Sequence, residues 1–217
     1  MQRFFDILLC TTALVVLSPF LIPVMILLRL TGEGEVFYAQ TRVGLGGRPF
    51  RILKFATMLK DSPNIGTGTL TVKNDPRVLP FGHFLRRTKI NELPQLLNVL
   101  KGDMSVIGPR PQAQRNFDTY AAEIQSEITS VRPGLSGLGA IVFRNEENIF
   151  NGIDDAGFYD RAVMPYKGQI ELHQVRNAGI GLYFKLIFLT LLSGRIDPWA
   201  AIPNLPPPPE ELRRLLS

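Results

Sequence analysis

The chain has 217 residues, of which 45% are hydrophobic, and it carries a formal net charge of +5. This length is sufficient for one domain with a hydrophobic core and an appendage. The single cysteine, Cys10, excludes an intrachain disulfide and a cysteine-based zinc site, and the isolated histidines His83 and His173 do not indicate a histidine metal cluster.

The N-terminal segment contains an uncharged apolar run, 7-ILLCTTALVVLSPFLIPVMILL-28, which predicts a membrane helix. Its length, the charged Asp6 before it and the missing small-x-small motif argue against a cleaved signal peptide. Ser18-Pro19 and Pro23 interrupt the run, and proline kinks a helix because it removes a backbone donor. Two interpretations stay open: a kinked helix that crosses the bilayer, or a helix–break–helix that enters and leaves one leaflet on the same side.

Nearly all lysines and arginines follow this segment, so the positive-inside rule predicts that the rest of the chain is cytosolic. The positive charge suits anionic membrane lipid or phosphate-bearing substrates. Nucleic acid is not expected as a partner, because no basic helix or basic stripe with interleaved aromatic residues is present. A basic membrane-surface protein without a small-molecule site is a third alternative.

Turn residues and hydrophobic patterns predict the following elements beyond residue 31. They are a hairpin over 36–58 with its turn at 44–47, a polar loop over 61–76, helices over 81–88, 92–101 and 113–130, a turn-rich segment over 131–149 with a strand-like stretch at 140–143, amphipathic pieces over 155–177, and an apolar helix over 180–193. We therefore divide the chain into a membrane segment (1–31), a domain (32–195) and a proline-rich tail (196–217), in which residues 203–217 are expected to be poorly ordered.

The stretch 91-NELPQ-95 has two interpretations. Asn91 can cap the predicted helix, with Glu92 in a first turn where the helix dipole favours negative charge. Alternatively, a helix N-terminus beside the basic residues between 86 and 89 is an anion-binding site. The two interpretations are compatible.

Arg110 stands between two prolines in 109-PRP-111. The prolines restrict the backbone on both sides, so the guanidinium is held at a low entropy cost in a geometry that suits phosphate oxygens. The alternative is an ordinary turn. Other charged candidates, each also explained by a solvated surface, are Arg42, Lys54, Asp75, Arg77, Asp103, Arg132, Arg144, Glu146, Glu147 and Glu171.

Several short motifs follow one another in a fixed order. They are Arg3 and Asp6 before the apolar run, Ser18-Pro19, Gln40-x-Arg42-x-Gly44, Lys54-Phe55-x-Thr57-Met58, Gly82 to Arg86, Glu92-Leu93-Pro94-Gln95, 98-NVLKGDMSVIGPRP-111 and Arg132-Pro133-Gly134-x-Ser136-Gly137. Together they resemble the bacterial sugar transferase family, the monotopic polyprenyl-phosphate phosphoglycosyl transferases. The block from Glu92 to Pro111 is the most specific part.

This resemblance implies an α-rich, irregular α/β fold with interfacial amphipathic helices and a re-entrant membrane helix broken at Ser18 and Pro19. The catalytic domain would lie on the cytosolic face of the bacterial cytoplasmic (inner) membrane. The implied reaction transfers a sugar 1-phosphate from a UDP-sugar to a polyprenyl phosphate, such as undecaprenyl phosphate, with Mg²⁺ as cofactor and UMP as leaving group. It would initiate polysaccharide or glycoconjugate synthesis, and a homo-oligomer is left open.

The resemblance also implies roles for individual residues. Glu92 and Asn91 would lie at the reaction centre as catalytic residues and Mg²⁺ ligands, Arg110 at the phosphates, and Arg86 beside the carboxylate or the diphosphate. Further phosphate- or substrate-binding candidates are Lys54, Arg42, Arg132, Arg144 and Glu171.

Asn91 departs from the family's pattern, which has an aspartate that attacks the β-phosphate and forms a covalent phosphosugar intermediate. An amide is a poor nucleophile, although it can bind a metal or a phosphate. Glu92 could be the nucleophile, the polyprenyl phosphate could attack directly, or Glu146 or Glu147 could supply a carboxylate. The remaining alternative is a silenced relative that binds substrate or partners an active transferase. Ala56 and 138-LGA-140 also depart from the pattern, so the sugar specificity is not implied.

Overall fold

The structure, a computed structural model, describes residues 1–65, 75–144, 157–192 and 194–216. The α-helices in these ranges are α1 (Gln2–Leu30), α2 (Pro80–Arg87), α3 (Gln95–Lys101), α4 (Gln114–Phe117), α5 (Ala122–Thr129), α6 (Leu138–Val142), α7 (Met164–Arg176), α8 (Ile180–Leu191), α9 (Pro198–Ala201) and α10 (Glu210–Leu216). The strands are β1 (Phe37–Val43), β2 (Pro49–Phe55), β3 (Ser105–Ile107) and β4 (Gly134–Ser136). Single turns of other helix types span Leu45–Gly47, Ser62–Asn64, Ile90–Glu92 and Tyr159–Val163. The predicted α-rich, irregular fold is confirmed.

The strands form two small sheets. The predicted hairpin is confirmed, since β1 and β2 pair antiparallel with Phe37 opposite Phe55, and their aromatic and β-branched residues suit a strand. Strands β3 and β4 pair in parallel, with Ser105 opposite Gly134. The strand-like stretch 140–143 was a wrong prediction, because most of it lies in α6. A short apolar run does not distinguish a buried strand from a buried helix.

Helix α1 continues through both of its prolines. Pro19 has no N–H to donate to the carbonyl of Val15, and the Ser18 hydroxyl donates to that carbonyl instead, at 2.8 Å. The helix thus has no gap at Ser18-Pro19, and the two membrane arrangements predicted for it stay predictions. Within the described residues, α1 is the one helix long and apolar enough to cross a membrane.

One stripe of α1 packs on the globular part along the whole helix. Its buried residues are Asp6, Cys10, Leu21, Val24 and Leu28. The first half packs among residues of β2 and α3, and the second half packs around Phe55 and Leu85. The opposite face is apolar and exposed, with Phe4, Ile7, Leu8, Leu9, Val15, Val16, Phe20, Ile22, Ile26, Leu27 and Leu30.

The carboxylate of Asp6 anchors the first turns of α1. It accepts hydrogen bonds from the Ser105 hydroxyl, the Val106 N–H and the Tyr183 hydroxyl, each at 2.9 Å. Arg3 adds bonds to two carbonyls at the end of α3, at 2.6 and 2.9 Å. A buried carboxylate is tolerated only when it is hydrogen-bonded, so these donors hold the helix in one register.

Helix α8 confirms the apolar helix predicted over 180–193 and lies at the surface. Tyr183, Leu186 and Leu189 face the core, whereas Ile180, Phe184, Phe188 and Leu191 are exposed.

The prediction of a poorly ordered tail over 203–217 is wrong for its described residues, 203–216. Leu205 and Leu212 are buried in the main core, and the Pro206 carbonyl accepts a hydrogen bond from the Tyr166 hydroxyl at 2.7 Å. The tail therefore packs on the main core through these leucines. Its proline-rich composition gave no sign of this packing, because composition does not show which surface a segment contacts.

Replacing Asp6 with alanine should release the N-terminal half of α1, because two buried donors and one partly buried donor lose their acceptor, at about 1–3 kcal/mol for each buried donor. Cys10, one turn later and 1% exposed, is the single cysteine and serves as the reporter. We expect maleimide to modify Cys10 at least about ten-fold faster in Asp6→Ala than in the parent chain. The exposed Asp118→Ala is the control, and equal rates in all three proteins would refute the anchoring role.

Candidate active site

A cleft of about 1090 Å³ lies between the β1–β2 hairpin, the Ile90–Glu92 turn, the loop after β3 and helix α6. The charged and amide side chains predicted from sequence that line it are Arg42, Lys54, Arg86, Asn91, Glu92, Arg110 and Arg144. They come from distant parts of the chain, so the fold is what brings them together.

Glu92 reaches the cleft from a tight turn instead of a helix. Lys89 adopts the left-handed conformation with φ of 60°, which is uncommon for a residue with a side chain. The Ile90–Glu92 turn follows, and α3 begins only at Gln95, so the predicted helix start at Glu92 and the capping role of Asn91 are wrong. The predicted helix end is confirmed, because Gly102 follows Lys101 with φ of 98°.

The carboxylate of Glu92 is surrounded by positive charge. The Lys54 ammonium lies 3.3 Å from its Oε1. Burial raises the pKa of Glu92, but the charges of Lys54, Arg110 and Lys89 oppose it and bring the pKa down to about 2. Glu92 is therefore ionised at neutral pH.

The cations of the cleft outnumber the carboxylate that they surround. Burial, and next the charge of Arg110, lower the pKa of Arg42 to about 10. Burial also lowers the pKa of Lys54, where Arg110 and Arg42 act against the favourable charge of Glu92. Such mutual repulsion is relieved by a bound anion, so the cleft suits a ligand that carries several negative charges.

Asn91 carries an unusual polar atom. The residue is only 6% exposed and lines the cleft, yet its Oδ1 has no hydrogen-bond partner among the described residues. Buried polar atoms without partners are rare and costly, which indicates a group that binds there. No cluster of three or more metal-ligating side chains occurs in the described ranges. An ion at Glu92 and Asn91 would therefore need further oxygen ligands from water or substrate.

Arg110 projects from a loop that packs backbone against backbone. The Gly134 N–H donates to the Pro109 carbonyl at 2.8 Å, and the Gly108 N–H donates to the Ser136 carbonyl at 3.0 Å. A Cβ on Gly108 would lie 2.4 Å from the Arg132 carbonyl oxygen, so only glycine fits this approach. The guanidinium itself is exposed at the cleft.

Two predicted site residues do not line the cleft. Arg132 lies elsewhere, and its Nε donates to the Gly102 carbonyl at 2.9 Å, at the end of α3. Its role as a phosphate-binding residue stays a prediction from the sequence. Glu171 is buried behind Arg110, and burial raises its pKa to about 7. Glu146 and Glu147 lie outside the described residues.

Lys167 lines the cleft and was missed by the sequence analysis. It is buried on α7, with its Nζ 3.1 Å from the Tyr159 hydroxyl and 5.0 Å from the centre of the Phe143 ring. A cation over an aromatic face is stabilised by the ring's charge distribution. The sequence did contain one indication of its role: Lys167 precedes the candidate Glu171 by four residues, which places both on the same face of a helix.

Comparison with known proteins gives a consistent result. Residues 1–194 match the family model described as "Bacterial sugar transferase". The "UDP-glucose:undecaprenyl-phosphate glucose-1-phosphate transferase" of Escherichia coli K12 is 34% identical, over 91% of this chain and 40% of that protein. The "Exopolysaccharide production protein PSS" of Rhizobium leguminosarum is 37% identical, over 89% of this chain and 94% of that protein. An Aeromonas hydrophila "UDP-N-acetylgalactosamine-undecaprenyl-phosphate N-acetylgalactosaminephosphotransferase" is 41% identical, over 65% of this chain and 34% of that protein.

The low pKa of Glu92 should appear in the pH dependence of stability. A carboxylate with a pKa near 2 in the folded state and near 4.5 when unfolded stabilises the fold above pH 4.5, and this contribution is lost as the pH falls towards 2. Between pH 5 and 3, the parent chain should lose about 1–2 kcal/mol more unfolding free energy than Glu92→Gln. Denaturant unfolding in detergent measures this, with the exposed Glu210→Gln as control. An identical loss in the parent and Glu92→Gln would contradict the charge arrangement.

Proposed function

The chain belongs to the bacterial sugar transferase family, and from this premise we propose that it transfers a sugar 1-phosphate from a UDP-sugar to undecaprenyl phosphate. The product would be the first lipid-linked sugar of a polysaccharide or glycoconjugate. The observation that carries the proposal is the cation-rich cleft in which Glu92 is the central carboxylate. The relatives are named for different sugars, so the sugar has to be identified by experiment.

The cations would recognise the diphosphate. Arg42, Lys54 and Arg110 influence one another's charge, so they are close enough to act on one polyanion. Phosphoryl transfer depends on positioning and on stabilising charge at the phosphate oxygens, which arginine does through paired donors. Arg42 is held for this by a 2.6 Å bond from its Nη2 to Gln40.

The residues at 91 and 92 favour direct attack by the acceptor. The Asn91 amide is a poor nucleophile, and Glu92 is a weak base because its pKa is about 2. In the proposed step, an oxygen of undecaprenyl phosphate forms a bond to the β-phosphorus of the UDP-sugar. The bond from that phosphorus to the bridging oxygen breaks, and UMP leaves with this oxygen. The cations stabilise the charge on the transferring group.

Mg²⁺ is the proposed cofactor. The Glu92 carboxylate and the buried Asn91 Oδ1 are oxygen ligands of the kind that Mg²⁺ prefers, and diphosphate oxygens and water would complete the set. When bound, the ion would supply further positive charge to the diphosphate. Because Glu92 is surrounded by cations, the site accepts a metal ion best together with the negatively charged substrate.

The packing of α1 supports a re-entrant, one-sided membrane association. A 29-residue helix is about 43 Å long, more than the roughly 30 Å hydrocarbon core. Its two halves pack on the same globular part, so a spanning orientation would draw charged residues such as Arg87 and Lys101 into the membrane. The exposed apolar faces of α1 and α8 would instead enter one leaflet, with the domain on the cytosolic side of the bacterial inner membrane.

The activity is tested by UMP release from a panel of UDP-sugars in the presence of Mg²⁺ and undecaprenyl phosphate. We expect turnover by the parent chain and a loss of at least about 100-fold in Glu92→Gln, because the central carboxylate is removed. Without the acceptor, the parent should not exchange labelled UMP into UDP-sugar, whereas Asn91→Asp, which supplies a nucleophile, should do so. Turnover by Asn91→Asp alone would show that the parent is a silenced relative.

The topology is tested by cysteine labelling in sealed vesicles. In a background with Cys10→Ala, Gln2→Cys and the exposed Arg48→Cys should both react with a membrane-impermeant maleimide from the cytosolic side only. Arg48, in the hairpin turn, reports the side on which the domain lies. Labelling of the two positions from opposite sides would mean that α1 spans the bilayer.

A further inference from the structure

Glu171 is an acidic residue that the proposed reaction does not use directly. It lies on α7, is 2% exposed and does not line the cleft. Its Oε2 has no hydrogen-bond partner among the described residues. A carboxyl group at such a site is costly, so its position calls for an explanation.

The other oxygen of Glu171 contacts the loop that carries Arg110. Its Oε1 accepts the backbone N–H of Arg110 at 3.1 Å. Neither Pro109 nor Pro111 has an N–H, so Arg110 carries the only backbone donor within this tripeptide. An acceptor on α7 can therefore bind the backbone of the Pro109–Pro111 segment only through the Arg110 N–H, and the Glu171 carboxyl is that acceptor.

A second side chain of α7 supports this contact. Gln174, one turn further on and also buried, accepts the Leu138 N–H with its Oε1 at 2.5 Å. Leu138 begins α6, which follows directly after β4, the strand that holds Gly108 and Pro109. Helix α7 thus contacts the Arg110 loop directly through Glu171. Through Gln174 it also holds the start of α6, next to the strand β4 that pairs with this loop.

Gly139 leaves the space that the Glu171 side chain occupies. A Cβ built on Gly139 would collide with Glu171 Oε1 and lie 2.8 Å from its Cδ, so the buried Glu171 side chain would have to move out of its present position. Aspartate is shorter by one C–C bond, about 1.5 Å, and would draw the carboxyl back from this position. A glutamate at position 171 therefore requires a residue without a side chain at position 139.

We propose that Glu171 is a positioning residue that holds the Arg110 loop through its backbone amide, and that Gly139 is required for this because it accommodates the longer acid. The fixed loop then holds the Arg110 side chain at a constant position in the cleft. The expected effect of Glu171 on catalysis rests on the proposed function, whereas the hydrogen bond between Glu171 and the Arg110 amide does not.

Amide hydrogen exchange of the full-length protein in detergent micelles tests the contact without any substrate. Peptides that cover residues 108–112 contain Arg110 as the only exchanging amide between the two prolines. In Glu171→Leu, which keeps the size but lacks an acceptor, exchange at Arg110 should be roughly ten-fold faster. Glu171→Gln keeps a carbonyl acceptor and should retain the protection. Unchanged exchange in Glu171→Leu would overturn the proposal.

A double-mutant cycle tests the match in size. Gly139→Ala should lower the unfolding temperature and expose the Arg110 amide. Adding Glu171→Asp should restore much of the unfolding temperature, because the shorter acid leaves room for the new methyl group, while the Arg110 amide should stay exposed because the shorter acid does not reach it. Gly181→Ala is the matched control, since a Cβ at this helical glycine contacts nothing within 4 Å. Purely additive effects of the two substitutions would refute the matched pair.

The transfer assay separates this proposal from the proposed function. If the parent transfers sugar phosphate, Glu171→Leu should lower kcat/KM by about 10–100-fold and Glu171→Gln should stay near the parent value. If the parent shows no transfer while Glu171→Leu still accelerates exchange at Arg110, the positioning role stands and the proposed function fails. Full transfer activity in Glu171→Leu would overturn the role of the contact in placing Arg110.

Discussion

The hydrogen bonding of the buried Asp6 carboxylate is the interaction on which the arrangement of α1 and the cleft depends. A charge removed from water must be fully hydrogen-bonded, and Asp6 takes its donors from β3 and from α8. Strand β3 leads, within three residues of its end, to Arg110. The same carboxylate therefore fixes the apolar helix, a surface helix with an apolar outer face and the strand that carries a cleft arginine.

The cleft is built around an imbalance of charge. Glu92 neutralises only part of the positive charge of Lys54, Arg42 and Arg110, and the partial burial of Lys54 and Arg42 strengthens the repulsion between the cations. In the proposed function, a bound diphosphate would relieve the repulsion between these cations. The buried Oδ1 of Asn91, which has no hydrogen-bond partner among the described residues, would then gain one from the ligand or its metal ion.

Local patterns in the sequence determined the features that depend on near neighbours. The alternating apolar residues and central glycines around Gly44 specify the hairpin, and Gly102 ends its helix because it adopts a positive φ that other residues avoid. The uncharged run over 7–28 predicted a long apolar helix, and α1 is long and apolar enough to cross a membrane. The order of short motifs identified the family, since each motif is read without knowledge of the fold.

Only the tertiary structure decided which polar residues meet. Arg132 and Arg110 are equally charged in the sequence, yet Arg110 lines the cleft, whereas Arg132 does not and donates to the Gly102 carbonyl instead. The site of Lys167 and the burial of Glu171 depend on how α7 packs against residues more than twenty positions away. Hydrophobic periodicity encodes which face of a helix is buried, but the partner of a buried polar atom is set by long-range packing. That is why composition and motifs were sufficient for the elements and the family, while the geometry of the site required the folded chain.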